Sequence, residues 1–192
     1  CKDTTKSMPV NFFRVLSLGG IFADIFLTLP HIYKPMKITL LTVGKTDKDW
    51  VKQGLDIYMS RLKHYIPFSI VEIPELKNVS AMTKDQIKSK EGELILKNIR
   101  PSDDVILLDE RGKEYSSVEL AGIIRDKMSY SGKDIVYVIG GAYGFSEAVY
   151  QRANSKLSLS RMTFSHQMVR AIFAEQIYRA FTIIKGEPYH HE

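Results

Sequence analysis

Two patterns of apolar residues alternate along the chain from Met36 onward. Lys37–Val43 is a short β-rich run that ends at Gly44, whereas in DKDWVKQGLDIYMSRLKHY the residues Trp50, Val51, Leu55, Tyr58, Met59 and Leu62 recur at helical spacing. Phe68–Ile73 reads as a second strand before Pro74, and after a polar connection a helix is predicted from about Lys84 to Asn98 on the stripe Ile87, Leu94 and Ile95. DVILLD, Asp104–Asp109, is a third strand, followed by the turn ERGKEY and a helix opened by Ser116-Ser117 with Glu119 in its first turn. DIVYVI, Asp134–Ile139, is a further apolar strand that the Gly140-Gly141 pair stops. Strands this short and this continuously apolar need cover on both sides, so the expected fold class is α/β, a mainly parallel sheet with helices on both faces.

The last third changes pattern within one stretch. LSLSRMTFSHQMVRAIFAEQIYRAF starts like a strand at Leu157, breaks at Ser165-His166 and continues as an amphipathic helix. Met168, Val169, Ile172, Phe173, Ile177, Ala180, Phe181 and Ile184 return at three- and four-residue intervals and form one wide apolar face. Most of that face is core, and its width leaves room for a partner helix as well. Arg170 and Arg179 fall off the stripe, and Glu175 is placed to pair with Arg179 at i,i+4. His166 marks the beginning of the helix, where a polar residue is ordinary; taken one at a time, these side chains have structural explanations.

The first 35 residues differ from the rest. Their apolar run VLSLGGIFADIFLTL resembles a signal peptide, but Asp24 interrupts it, no small-residue cleavage site follows before Lys34-Pro35, and it is too short and interrupted to span a bilayer. With the strand-like KITLLTVG directly after Met36, residues 1–35 are expected to be an N-terminal extension without a catalytic role, and residues 36–192 the domain. A length of 192 residues with 44% hydrophobic content supports one sizeable core. The net charge, 27 basic minus 22 acidic residues or +5, favours a polyanionic partner without requiring one. A single cysteine excludes an internal disulfide, and neither CxxC nor HExxH is present, so no metal is expected and the cytoplasm is the simplest location.

In open α/β sheets ligands settle at the carboxyl ends of strands. Three such ends are informative: LLDERG at 107–112, VIGGAYGF at 138–145 and LSLSRMTF at 157–164. The glycine pair lets backbone approach a ligand closely. GGAYG is not GxGxxG, however, and there is no GxxxxGK[ST], so a conventional dinucleotide or nucleoside triphosphate site is unsupported, and Gly140 and Gly141 read equally well as turn residues. There is no GxSxG elbow for an α/β-hydrolase either.

Taken in order, MKITLLTVGK, DERGK, VIGGAYGF, LSLSRMTF, HQMVR, EQIYRAF and PYHHE resemble the ribosomal RNA large subunit methyltransferase H family, small SPOUT-class enzymes, over Met36–Glu192. The resemblance implies a SPOUT-type α/β knot with a C-terminal trefoil, a topology that general rules make very rare. It implies S-adenosylmethionine as cofactor, touched by Leu108, Gly140, Leu159, Ser160, Arg161, Met162, Thr163 and Phe164. It further implies a homodimer and methylation of N3 of a pseudouridine in 23S rRNA of the assembled 70S ribosome, with no membrane and no metal partner. The chain has Ala142-Tyr143 between the glycines, where relatives vary, and Ser165 where many have proline; neither is expected to abolish cofactor binding.

A sulfonium methyl donor needs neither a protein nucleophile nor a metal. The protein has to align sulfur, methyl and N3, help N3 lose its weakly acidic proton, and stabilise the charge that develops. On that basis His166, Arg179, Tyr189 and His190 are expected to surround the target base, with contributions from different subunits, and Arg170 to contact phosphate or the second subunit. No RRM, KH or zinc-knuckle signature is present, so phosphate affinity alone should be limited and salt-sensitive. Two alternatives stay open: a SPOUT enzyme acting on another RNA such as tRNA, and a ribosome-associated binding protein without turnover.

Overall fold

The computed structural model describes residues 36–191. Its elements in chain order are β1 (Ile38–Val43), α1 (Asp49–Leu62), β2 (Phe68–Ile73), α2 (Lys84–Lys97), β3 (Asp104–Glu114), α3 (Ser117–Tyr130), β4 (Ile135–Ile139), α4 (Glu147–Arg152), β5 (Ser155–Ser158) and α5 (Met168–Lys185), with one 3₁₀ turn at Val79–Ala81. The five strands form one sheet in the order β2-β1-β4-β3-β5, and every pairing is parallel. The α/β expectation holds.

Alternation along each strand explains the continuous apolar runs. In β4, Ile135, Tyr137 and Ile139 face one cluster, in which Leu62 of α1, Ile124 of α3 and Phe173, Ile177 and Phe181 of α5 are buried. Val136 and Val138 face the other cluster, with Ile95 of α2 and Val149 of α4. Three helices therefore cover one side of the sheet and two the other. Local signals set the helix ends: Ser116 and Glu119 form a reciprocal capping box on α3, Thr83 and Gln86 do the same on α2, and Gly186 ends α5 at φ +68°.

Three features depart from the sequence expectation. β3 runs on to Glu114, through the segment expected to be only a turn, with a register shift between Leu108 and Lys113 so that both pair with Leu157. The chain at 109–112 thereby folds over β5, so closely that a Cβ at Gly112 would meet backbone atoms of Leu157 and Ser158 at 2.6–2.7 Å. The six-residue α4 has no counterpart in the sequence reading, because a helix of under two turns gives too few periodic positions. Arg170 is the third. It was expected off the apolar face, as a phosphate or subunit contact, yet it is fully buried in the first turn of α5. Its guanidinium donates to the His166 and Val43 carbonyls at 2.9 Å each and to Thr46 Oγ1 at 2.8 Å, with Glu72 at 3.7 Å. That corrects the phosphate assignment: the cation ties α5 to the end of β1 and has no exposed face for RNA.

The apolar run of residues 1–35 lies outside the described residues. Among the described residues no helix is long and apolar enough to cross a membrane.

Candidate functional site

The carboxyl ends of β3, β4 and β5 open into one cleft of about 590 Å³. This volume falls within the range of small-molecule sites. Leu108, Ile139, Leu157, Leu159 and Phe164 supply apolar walls, and the turn Gly140–Phe145 supplies backbone. The turn is closed by a hydrogen bond from the Gly144 amide to the Gly141 carbonyl at 3.1 Å. Its glycines are closely packed: a Cβ at Gly140 would lie 3.0 Å from the Phe145 ring, and one at Gly141 would lie 2.5 and 2.7 Å from the two carboxylate oxygens of Glu91, so either would force its neighbour to shift. Apolar walls beside a backbone turn can hold a flat heteroaromatic ring and read its edge.

Of the residues expected to touch a cofactor, Leu108, Gly140, Leu159, Ser160, Met162, Thr163 and Phe164 line the cleft, and His166 lies at its edge. Arg161 does not line it; its side chain is 92% exposed and meets Glu114 at 3.3 Å. Met162 is 75% exposed, unusual for its residue type, so the 160–164 segment is a rim as much as a wall.

Arg179, Tyr189 and His190 are brought together, but elsewhere. Arg179 donates to Glu175 Oε1 at 2.6 and 3.0 Å, lies 4.8 Å from the Tyr189 ring centre and has Nη1 3.4 Å from His190 Nδ1. Tyr189 donates to the same Glu175 oxygen at 3.2 Å. The hydrogen bond with Glu175 raises the Arg179 pKa, so this group stays cationic. Burial raises the Tyr189 pKa, and hydrogen bonds with Tyr58 and Glu175 add to it, so the phenol stays protonated. Arg179 is eleven residues past Met168, about 16 Å along the helix axis at 1.5 Å per residue. Within one chain, then, His166 belongs to the cleft and the Arg179–Tyr189–His190 group to the far end of α5.

Two arrangements escaped the sequence reading. Asp109 accepts from the Tyr150 hydroxyl and from the Arg111 amide at 2.8 Å; burial opposes ionisation, but these hydrogen bonds prevail and hold the carboxyl below the usual range. A carboxylate closing an apolar strand was a usable signal, but Tyr150 stands on the unpredicted α4. Glu91 on α2 is 9% exposed, presses on Gly141 and leaves Oε2 without a hydrogen-bond partner. Burial raises its pKa, with nearby Glu75 adding to the shift. A carboxyl so raised contributes stability that is present below the ordinary glutamate value of 4.5 and lost as pH rises through the folded value. Glu91→Gln should therefore raise the melting temperature at pH 7 by about 2–4 °C, the equivalent of roughly 1 kcal/mol, and leave it unchanged or lower at pH 4. Thermal scans at the two pH values check this; an equal shift at both would mean that the charge is not the cause.

Among the described residues no group of three or more histidine, cysteine, aspartate or glutamate side chains could hold a metal ion.

Comparison with known proteins gives a consistent result. The family model described as "Predicted SPOUT methyltransferase" matches residues 36–190. A protein of Parabacteroides distasonis named ribosomal RNA large subunit methyltransferase H is 54% identical over 157 residues, 82% of this chain and all of the relative. Proteins of the same name from Bacteroides thetaiotaomicron and Christiangramia forsetii are 55% identical, over 157 and 156 residues, covering 82% and 81% of this chain and 100% and 99% of the relatives.

Proposed function

Because the chain belongs to the SPOUT methyltransferase family, we propose that it methylates large-subunit ribosomal RNA from S-adenosylmethionine, at N3 of a pseudouridine in 23S rRNA of the assembled 70S ribosome. The observation that carries the reading is the cleft at the ends of β3, β4 and β5, whose lining includes seven of the eight residues that the family resemblance assigns to the cofactor. Relatives matched over their whole length and named for methylation of large-subunit ribosomal RNA support the substrate class.

Leu108, Gly140, Leu159, Ser160, Met162, Thr163 and Phe164 would hold the cofactor, the glycine turn through its backbone and the leucines and Phe164 through apolar contact. Arg161 would contribute backbone only, as its side chain pairs with Glu114. When bound, S-adenosylmethionine supplies an electrophilic methyl group on a sulfonium sulfur. The chain's own work is to exclude water, orient N3 toward that methyl, accept the N3 proton and stabilise the developing negative charge on the ring. Arg179 is the cation suited to the last task, and Tyr189, which donates its hydroxyl proton to the same Glu175 carboxylate that holds Arg179, positions it. His166, which lines the cleft, and His190, which lies beside Arg179, are the imidazoles we assign to accepting the N3 proton.

The separation along α5 means that these groups meet only if a second copy brings its Arg179, Tyr189 and His190 over the cleft of the first. A homodimer satisfies that geometry. The catalytic unit is residues 36–192, with residues 1–35 an extension outside the chemistry, and the cytoplasm, where ribosomes are assembled and work, is its place of action.

The test is methyl transfer from labelled S-adenosylmethionine to 70S ribosomes, free 23S rRNA and tRNA in parallel, with the modified nucleoside identified by mass spectrometry. Labelled 3-methylpseudouridine from ribosomes alone is the expected result. Labelling of tRNA would move the substrate, and cofactor binding without any transfer would leave a ribosome-associated binding protein.

A further inference from the structure

A second groove, of about 690 Å³, lies between α2 and α4 and shares Arg111, Tyr143, Phe145 and Tyr150 with the cofactor cleft. We propose that this groove is a subsite for the nucleotide flanking the methylated one, with Arg111 on its phosphate and Tyr143 against its base. The inference rests on the reading of the chain as an RNA methyltransferase.

Arg111 is both exposed and held. Its side chain is 68% exposed, yet Nη2 donates to the Tyr150 hydroxyl, Nε lies 3.4 Å from Asp109 Oδ1, and the guanidinium carbon is 5.4 Å from the centre of the Tyr150 ring. The backbone amide of Arg111 binds the same Asp109 oxygen at 2.8 Å, and the Asp109 side chain is only 6% exposed. No acceptor among the described residues meets Nη1. An arginine fixed on one edge and open on the other loses little conformational freedom when it binds an anion, and its planar fork matches a phosphodiester. The preorganisation is more than an ion pair at the surface needs, because Asp109 is already satisfied by Tyr150 and the amide.

Tyr143 gives the second contact. It stands at the tip of the Gly141–Gly144 turn, 46% exposed, with no core role, and Lys84 Nζ lies 5.8 Å from its ring centre. A tyrosine presented on a fixed turn is a stacking platform, and stacking suits any base because every base has a π-face. The turn separates the two grooves, so a base in the cofactor cleft leaves its neighbour on the far side of Tyr143. The other charges set the scale of the contact. Lys88 is paired with Asp85, and Glu93 and Glu147 line the same groove, so the surface suits one phosphate rather than a continuous backbone track.

The test compares Arg111→Gln, Tyr143→Ala and Tyr143→Phe with the wild-type chain. Three quantities are measured: cofactor dissociation constant, ribosome dissociation constant at several salt concentrations, and KM for ribosomes in methyl transfer. Arg111→Gln should weaken ribosome binding about 10-fold and reduce the slope of log affinity against log salt by about 1, with cofactor affinity within about twofold of wild type. Tyr143→Ala should weaken binding by roughly 5- to 100-fold without changing the salt slope, and Tyr143→Phe should restore it. Unchanged ribosome binding in both variants overturns the subsite. Loss of cofactor affinity in Arg111→Gln also overturns it, because the anion would then be the cofactor's carboxylate. If the wild type binds ribosomes without methylating them while Arg111→Gln still weakens that binding, the reaction is rejected and the groove stands.

Discussion

Arg179→Ala should slow methyl transfer to ribosomes by about 100-fold while cofactor affinity stays within about twofold, since a positioned cation facing developing charge is worth roughly that factor. Arg179 stands about 16 Å further along the α5 axis than Met168 and does not line the cleft of its own chain, so its loss should leave the cofactor pocket intact. Single-turnover rates and calorimetric titration of the cofactor check the two halves of the statement. A sharper form uses mixed dimers. Arg179→Ala chains and chains carrying a bulky residue at Gly140 should each be inactive, yet an equal mixture should regain roughly a quarter of wild-type activity, because half the dimers are mixed and each has one complete site. No recovery on mixing would mean that Arg179 acts within its own chain. A normal rate in both Arg179→Ala and His190→Ala would remove the C-terminal group from the chemistry.

Arg170→Ala should destabilise the fold by about 3–5 kcal/mol, because removing one partner leaves buried groups without compensation. Those groups are the Val43 and His166 carbonyls, Thr46 Oγ1 and, at longer range, Glu72. Glu72 would keep its Thr46 hydrogen bonds, which together with Arg170 hold its carboxyl low despite burial. A loss of this size lowers the melting temperature by roughly 10 °C in a chain this long. Arg170→Lys should recover only part of it, since an ammonium on a flexible stem cannot reach three acceptors arranged for a fork. Thermal unfolding followed by circular dichroism is the measurement. An unchanged melting temperature with weakened ribosome binding would restore the phosphate role.

Arg170 also shows where sequence reading stops. Seen on a helical wheel it falls beside the apolar stripe, and there its sequence neighbours give no hint of Thr46, 124 positions away, or of Val43, 127 away. The same limit hid Tyr150 from Asp109, 41 positions apart, and Glu91 from Gly141, since no local pattern reports which residue will press on a turn from another helix. By contrast, whatever depends on neighbours was legible. The runs DVILLD and DIVYVI announced strands covered on both faces, Ser116 with Glu119 announced a helix start, and the spacing from Val169 to Ile184 announced α5.

The three strand ends that form the cleft were legible for the same reason, as each is a switch from an apolar run to glycine or polar residues. By itself the sequence determined the types of the longer elements, the α/β class and, through motif order, the family, because these follow from short-range periodicity and residue chemistry. Only the tertiary structure decided the strand order β2-β1-β4-β3-β5, the crossing of Gly112 over β5, the burial of Arg170 and the separation of His166 from Arg179. The physical reason is that each of these is fixed by contacts between residues far apart in the chain, which become favourable only after the local elements have formed and found one another.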